Sequence, residues 1–269
     1  MTHKSVAIVG YGAVGRGLSE LFPGAVVYDE PQGIGTRGEV NTCEFAFVAV
    51  PTPLGDDGAC DTSIVESVVR WIQSEIIVLR STVEVGTTQE LVRATDKRII
   101  FQPEFGPGET PDHPFKSLRQ VRWVILGGDR KSTNAVADLY KTVFNADLAI
   151  HQTDSLTAEL TKYMENCFLA LKVTFCNEFF DIAEAIGVDY NELRELWLLD
   201  PRVGRSHTFV MPDERGFGGK CLPKDVAALV NTARKFGAPA MLMEAALEAN
   251  AGIRQRGLDR EATRAEGAE

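Results

Sequence analysis

The feature that most constrains the fold is a glycine pattern near the amino-terminal end of the chain. An apolar segment over residues 6–10 runs directly into a G-x-G-x-x-G sequence, residues 10–15. A helical pattern follows over 16–22, and a second apolar segment over 25–28 is followed by Asp29. This order of strand, glycine turn, helix, strand and acidic residue is typical of a dinucleotide-binding βαβ unit. The alternative is a glycine-rich turn that binds no ligand.

Each glycine has its own physical task in such a unit. Gly10 permits the tight turn, Gly12 lets a pyrophosphate approach the helix N-terminus, and Gly15 lets the helix pack on the strand. Asp29 would accept hydrogen bonds from ribose hydroxyls, and with Glu30 beside it would repel a 2′-phosphate, so we expect NAD rather than NADP. The predicted cofactor contacts of this unit are Gly10, Gly12, Ala13, Val14, Gly15 and Asp29.

Short apolar segments alternate with helical patterns up to about residue 150. Their nearly continuous apolar character is typical of strands that helices cover on both faces. The sequence therefore predicts an α/β domain over residues 1–150, with a doubly wound parallel sheet of Rossmann type. The predicted strands are Val6–Gly10, Ala25–Tyr28, Phe45–Val50, Ile76–Arg80, Ile99–Gln102 and Trp123–Gly127.

Polar residues follow three of these strands. Pro51-Thr52-Pro53 follows the third strand, the segment 81–88 (STVEVGTT) follows the fourth, and Pro103-Glu104-Phe105 follows the fifth. Each alone could be a turn, a helix cap or a solvated acid. Because the carboxyl ends of parallel strands meet at one edge, we expect the three to share a ligand-binding crevice.

After about residue 151 the pattern becomes helical. Asp154 or Ser155 could cap a helix of about thirty residues, 156–186, which Gly187 can end. Such a helix is long for a globular domain, so we expect it to join the first domain to an all-α domain over 151–269, and it could form a dimer surface. Further helices are predicted over 191–199, 225–236 and 240–256, with a fraying tail over 258–269.

One cysteine lies in a setting that favours reactivity. Cys221 lies between Lys220 and Lys224, after a run of glycines and before a predicted helix that begins near Asp225. Neighbouring ammonium groups and helix N-terminal amides both favour thiolate over thiol. The alternative is a glycine turn that precedes a buried structural cysteine.

A lysine and an asparagine share one face of the long predicted helix. Lys162 and Asn166 are four residues apart, in an apolar neighbourhood. On spacing alone the lysine either reaches solvent or faces an anionic site.

Composition excludes several classes of partner. A net charge of -10 over 269 residues argues against nucleic acid or an anionic membrane as a general partner. The five cysteines show no C-x-x-C pair, the four histidines lack metal-ligand spacing, and no apolar run reaches membrane-spanning length. We therefore expect a cytoplasmic protein without disulfides or a metal site.

Five segments, in order, resemble the motifs of the UDP-glucose/GDP-mannose dehydrogenase family over nearly the whole chain. They are 50–53 (VPTP), 80–88 (RSTVEVGTT), 103–105 (PEF), 158–166 (AELTKYMEN) and 216–225 (GFGGKCLPKD). The resemblance implies a four-electron oxidation, in which a nucleotide sugar's C6 alcohol becomes a carboxylate while two NAD+ are reduced and one water is consumed. UDP-glucose is the expected substrate and UDP-glucuronate the expected product.

The resemblance also implies residue roles. Cys221 would add to the aldehyde intermediate, and Lys162 with Asn166 would stabilise the oxyanion. Asp225 and Thr82 would hold the water that serves as base and as hydrolytic nucleophile. The remaining implied roles are proton transfer at Glu104, ionisation of Cys221 by Lys224, NAD contacts at Val50, Pro51, Thr52, Ser81 and Thr82, and substrate contacts at Glu104, Phe105, Lys162, Asn166, Phe217, Gly218, Gly219 and Lys224.

The chain departs from the family pattern in several places. Family members continue into a third, nucleotide-binding domain that we expect this chain to lack, and they insert a longer segment after Asp29. The family's second acid after Glu104 is absent or displaced to Glu109, and Glu84 replaces a proline. Alternatives therefore stay open: the same chemistry on another alcohol, or an NAD-binding protein that no longer turns over or needs a partner to supply the missing domain. A homodimer through the helical domain is also expected.

Overall fold

A computed structural model describes residues 5–55, 58–106, 115–144 and 147–266. Glu109, the candidate displaced acid, lies outside the described residues. The chain divides into two compact units, residues 1–162 and 163–269. Among the described residues, none of the helices has the length and apolar character needed to cross a bilayer.

The first unit is built on a seven-stranded sheet. The strands are β1 Val6–Val9, β2 Val26–Tyr28, β3 Phe45–Val48, β4 Ile76–Leu79, β5 Ile99–Phe101, β6 Trp123–Gly127 and β7 Ala149–Thr153. Their order in the sheet is β2-β1-β3-β4-β5-β6-β7, and all neighbouring strands pair in parallel except β5 and β6. The α/β class is therefore confirmed, but two details differ from the prediction: β6 runs antiparallel to β5, and β7 was not predicted.

Helices cover both faces of this sheet. Successive side chains of a strand point to opposite faces, so Ala46 and Val48 of β3 enter one buried apolar cluster while Phe45 and Phe47 enter another. This double burial explains why the strands are apolar throughout. The helices of the first unit are α1 Ala13–Leu21, α2 Arg37–Val40, α3 Ser63–Trp71, α4 Thr87–Thr95, α5 Arg130–Tyr140 and the start of α6 Ser155–Ile186.

The strand order defines where a ligand can bind. From β1 the chain passes to β2 on one side and later to β3 on the other, so the direction of winding reverses between β1 and β3. In doubly wound sheets the ligand crevice lies at this reversal, beyond the carboxyl ends of the strands. The short segment after Asp29 contains only the four-residue α2, and β2 lies at the edge of the described sheet.

The second unit is entirely helical in its described part. It contains the rest of α6, then α7 Tyr190–Trp197, α8 Leu222–Lys235 and α9 Met241–Glu266. Gly187, in the left-handed region at φ +77°, follows the end of α6 as predicted. Two predictions were wrong. Helix α8 begins at Leu222 rather than near Asp225, which makes Cys221 its N-cap residue, and α9 continues to Glu266 instead of fraying from residue 258.

Candidate active site

The glycine turn after β1 has the shape that a pyrophosphate needs. Gly10 adopts φ +95°, and a side chain there would place its Cβ 2.5 Å from the carbonyl oxygen of Ala49. A Cβ on Gly12 would meet no atom within 4 Å, so open space lies in front of α1. No side chain caps α1, and its first turn carries no acidic residue. Its N-terminal amides can therefore bind a phosphate, and the turn fits the predicted cofactor.

Asp29 lies at the end of β2 and faces the glycine turn. Its carboxylate accepts hydrogen bonds from the backbone N–H groups of Tyr11, at 2.7 Å, and Gln32, at 3.0 Å. Each carboxylate oxygen can accept two hydrogen bonds, so both oxygens keep a position for a ribose hydroxyl. The neighbouring Glu30 pairs with Arg37 at 3.1 Å. These features fit NAD.

Side-chain hydrogen bonds join the loops after β3 and β4. Ser81 Oγ donates to the carbonyl of Val50 at 2.7 Å, and Thr52 Oγ1 donates to the carbonyl of Thr82 at 2.7 Å. Cys60, a buried thiol, donates to the same Thr82 carbonyl at 3.3 Å. Pro51 is exposed between them. The structure thus brings together these predicted cofactor residues at one edge of the sheet.

Glu104, after β5, is bound through both its main chain and its side chain. The Lys162 ammonium donates to the Glu104 carbonyl oxygen at 2.6 Å, and lies 5.3 Å from the centre of the Phe105 ring. The Glu104 carboxylate accepts from the backbone N–H of Gly106 and pairs with Arg80, whose side chain is 4% exposed. Three predicted residues therefore meet here, and Arg80 is a partner that the sequence analysis missed.

Glu159 is a second residue that the sequence analysis did not single out. It lies on α6 one turn before Lys162, is fully buried, and accepts from the N–H groups of Gly86, at 2.6 Å, and Thr88, at 2.9 Å. The Thr88 hydroxyl donates to it as well, at 2.6 Å. Burial raises the pKa of this carboxyl above its ordinary value. Its only sequence clue is an acidic residue among apolar ones on a predicted helix.

In the second unit, Asp225 lies in the first turn of α8 and is 1% exposed. Its carboxylate accepts from Asn166 Nδ2, and the Lys224 ammonium donates to it at 2.5 Å. Asn166, Lys224 and Asp225 are therefore one hydrogen-bonded group. A carboxylate in the first turn is also favoured by the helix dipole.

Cys221 differs from the other cysteines of the chain. It is exposed at the N-terminus of α8, whereas Cys43, Cys60, Cys167 and Cys176 are buried. Burial, together with the charge of Asp225, raises the pKa of Cys167 to about 12, so that thiol stays protonated at neutral pH. The exposure of Cys221 excludes the alternative of a buried structural cysteine.

The glycine run before Cys221 has a buried start and an open middle. Phe217 is 2% exposed and packs in an apolar cluster with Cys167, Ala170 and Val226. Gly218 is partly exposed, and a Cβ there would lie 2.4 Å from the Arg254 guanidinium, whereas Gly219 is exposed at φ +71° with open space where a side chain would be. Of these three predicted substrate contacts, only Gly219 is open to solvent, Gly218 lies against Arg254, and the Phe217 side chain belongs to the core.

Comparison with known proteins identifies the family. One family model, described as the UDP-glucose/GDP-mannose dehydrogenase family NAD binding domain, matches residues 30–144. A second, the central domain of the same family, matches residues 156–252. The chain belongs to the UDP-glucose/GDP-mannose dehydrogenase family. The first matched segment begins after the glycine turn and Asp29, whose fit to a dinucleotide therefore rests on the geometry above.

Individual members of the UDP-glucose/GDP-mannose dehydrogenase family show similarity over most of the chain. A UDP-glucose 6-dehydrogenase of Rhizobium meliloti is 32% identical over 224 residues, which is 78% of this chain and 51% of the relative. One from Haloferax volcanii is 31% identical over 243 residues, 82% of this chain and 55% of the relative. The chain thus spans about half the length of these curated relatives.

A solved structure shows the same fold. The UDP-glucose dehydrogenase of Pyrobaculum islandicum superposes with a TM-score of 0.79 at 26% identity, over 92% of this chain and 68% of that one. The nucleotide-sugar dehydrogenase fold of this family is therefore present here.

Proposed function

We propose that this protein is an NAD-dependent nucleotide-sugar 6-dehydrogenase that converts UDP-glucose to UDP-glucuronate. The observation that carries the proposal is the exposed Cys221 at the N-terminus of α8, followed by Asp225 in hydrogen-bonded contact with Asn166 and Lys224. It occurs within the segment that matches the family's central domain. The UDP-glucose 6-dehydrogenase names of the relatives support the substrate.

The first unit holds the cofactor. Gly10, Gly12 and the amides of α1 receive the pyrophosphate, and Asp29 receives the ribose hydroxyls. When bound, NAD+ accepts a hydride in each of the two oxidation steps. The loops that carry Thr52 and Ser81 complete the cofactor site.

The thiol makes the second oxidation possible. The first oxidation turns the C6 alcohol into an aldehyde, which has no readily transferred hydride until a group adds to its carbonyl. The Cys221 thiolate adds to that carbon, forming a C–S bond and a thiohemiacetal. Loss of the second hydride gives a thioester, and attack by water breaks the C–S bond to release the carboxylate and the free thiol.

Charged and polar groups within each unit have proposed roles in these steps. In the first unit, Lys162 stabilises the alkoxide and oxyanion, Thr82 binds water, and Glu104 assists proton transfer at the thioester. In the second unit, Asn166 is a neutral hydrogen-bond donor, and Asp225 binds the water that serves as base and as nucleophile. In the second unit the Lys224 ammonium also binds Asp225.

A second candidate function is the same chemistry on an alcohol that is not a nucleotide sugar. The sequence features that favour it are the short segment after Asp29 and Glu84 in place of the family's proline. Product identity separates these cases.

Exposed apolar side chains on α6 support the homodimer. Phe175, Phe179, Ile182 and Ile186 follow one another at spacings of three or four, so they share a face, and all are exposed. We propose that a second copy covers this face.

We also propose that the chain consists of a cofactor domain over 1–150 and a helical domain over 151–269. The proposed compartment is the cytoplasm, where thiols stay reduced.

The test is to incubate the purified chain with NAD+ and UDP-glucose, then a panel of other nucleotide sugars, and to identify the product by mass spectrometry. UDP-glucuronate from the wild type and none from Cys221→Ser would support the proposal. Acid production by Cys221→Ser at the wild-type rate would rule out the thioester route, and a product from another alcohol alone would favour the second candidate.

A further inference from the structure

The segment that leads into the cysteine loop is held by side chains of α6. Asn177 Oδ1 accepts from the backbone N–H of Gly216 at 3.1 Å and from Arg215 Nε at 2.8 Å. Arg215 is completely buried and donates to Asp181 at 2.7 Å. The residue before the loop is therefore fixed against α6.

The backbone of the next residue, Phe217, is bound by one side chain of α9. Asn250 Oδ1 accepts from the backbone N–H of Phe217 at 2.7 Å, and Asn250 Nδ2 donates to the Phe217 carbonyl at 2.9 Å. Both residues are buried, at 6% and 2% exposure, and buried backbone groups need partners. A carboxamide offers one acceptor and one donor group, so Asn250 pairs with Phe217 as a neighbouring β-strand would.

Gly216 makes this contact possible. It adopts φ +73°, and a Cβ there would lie 2.5 Å from Asn250 Oδ1. A side chain at residue 216 would therefore displace the carboxamide from Phe217. Gly216, the first glycine of the motif, is therefore needed to leave room for Asn250.

The contact between Asn250 and Phe217 affects the position of the Cys221 thiol because Phe217 lies close to Cys221 in the chain. Phe217 precedes Cys221 by four residues, and Gly218 and Gly219 lie between them without side chains to restrict the backbone. Directly after Cys221, α8 begins. The path of the loop is therefore set before it by Asn177 and Asn250, which bind Gly216 and Phe217, and after it by the first turn of α8. Arg254 lies against Gly218 between them.

We propose that Asn250 is a positioning residue for Cys221, which fixes the loop that carries the thiol by binding both backbone groups of Phe217. The proposal rests on the proposed function only in taking Cys221 as the nucleophile. Small displacements of a reacting group can cost roughly 100-fold in rate, so loss of this contact should reduce turnover without removing any group that touches the substrate.

The test compares two asparagines that bind backbone in the same way. Asn250→Asp keeps the acceptor for Phe217 N–H but replaces the donor with a second acceptor. Asn41→Asp is the matched control: in the first unit Asn41 Nδ2 donates to the carbonyl of Trp71 at 3.3 Å, and Oδ1 accepts from the N–H of Gln73 at 2.8 Å. Asn250→Gln, which keeps both groups on a longer side chain, is the conservative variant.

Hydrogen exchange of the folded chain gives a readout that needs no substrate. Amides of residues 216–221 should exchange about tenfold faster or more in Asn250→Asp, less so in Asn250→Gln, and at the wild-type rate in Asn41→Asp. Wild-type exchange in Asn250→Asp would overturn the proposal.

Turnover then separates positioning from a merely structural role. We expect kcat of Asn250→Asp to fall about 10- to 100-fold with little change in the KM for NAD+, partial recovery in Asn250→Gln, and no change in Asn41→Asp. Faster loop exchange with an unchanged kcat would overturn the proposal, because the loop would then matter only to stability.

Different results would contradict the positioning role of Asn250 and the proposed function. If the wild type reduces NAD+ with none of the nucleotide sugars, the proposed function fails, and alkylation of Cys221 by iodoacetamide replaces turnover as the readout. The alkylation rate of Asn250→Asp should then differ at least about threefold from that of Asn41→Asp. Equal rates would overturn the positioning role.

Discussion

At the scale of single residues, Glu104 joins two cations of the first unit. Its carboxylate pairs with the buried Arg80, and its carbonyl accepts from Lys162. A buried ion pair is weak evidence for stability, but removing one partner leaves an uncompensated charge. Arg80 therefore provides the cation that balances the partly buried Glu104 carboxylate.

Arg80→Met should destabilise the chain by about 3 kcal/mol, because it leaves the Glu104 carboxylate without its cation. Arg98→Met is the control, since the Arg98–Glu75 pair is far more exposed, at 27% and 61% for the two side chains. Exposed pairs contribute ~1 kcal/mol or less. Urea denaturation measures the free energy of unfolding of both variants. Equal decreases would show that the Arg80–Glu104 pair contributes no more than the exposed pair.

At the scale of elements, Glu159 links α6 to the N-terminus of α4. It accepts from Gly86 and Thr88, whose N–H groups would otherwise lack partners at the start of α4. The contact holds the loop after β4, which carries Thr82, against the helix that carries Lys162. A carboxylate from one helix thus substitutes for the missing N-cap side chain of another.

Glu159→Gln should destabilise the chain by about 1–3 kcal/mol near pH 4.5, because the amide nitrogen that replaces one carboxyl oxygen cannot accept a hydrogen bond from the three donors. Burial raises the pKa of Glu159 above 4.5, so its folded form binds a proton more readily than its unfolded form. Its contribution to stability is then complete below pH 4.5 and declines as pH rises through the raised pKa. The difference in unfolding free energy between wild type and variant should therefore shrink from pH 4.5 to pH 7. A difference that grows with pH would show that the three donors outweigh burial.

The elements also show what a sequence can predict and what it cannot. Apolar runs and glycines predicted six strands and the turns beside them, because burial on two faces and positive φ leave local marks in sequence. Strand β7 was missed because Ala149–Thr153 has exposed or half-exposed positions throughout. The antiparallel direction of β6 could not be predicted, because no pattern within its own sequence indicates strand direction.

The residues of the candidate site likewise include some that the sequence predicts and some that it does not. Cys221, Lys162 and Glu104 were found through motifs, whereas Glu159 and Asn250 act through partners 71 and 33 residues away. Such long-range contacts cannot be inferred from spacing along one chain. The start of α8 was placed three residues late because Leu222-Pro223 precedes its acidic first turn, although proline is common at the first positions of a helix.

At the scale of the whole molecule, the exposed apolar face of α6 predicts self-association. Phe179→Glu should shift a dimer to a monomer, because a charge in an apolar interface is costly to bury. Ile64→Glu is the matched control, since Ile64 on α3 is exposed to the same 41% as Phe179. Light scattering after size exclusion gives the mass; a wild-type monomer, or a dimer that Phe179→Glu leaves intact, would contradict the prediction.

We propose that this chain removes four electrons from a nucleotide sugar through a thioester on Cys221. The most direct measurement is the number of NADH formed per UDP-sugar consumed by the purified protein, with Cys221→Ala alongside. We predict two NADH per sugar for the wild type and no acid from the variant. One NADH per sugar with an aldehyde product, or two NADH that persist in Cys221→Ala, would contradict the claim.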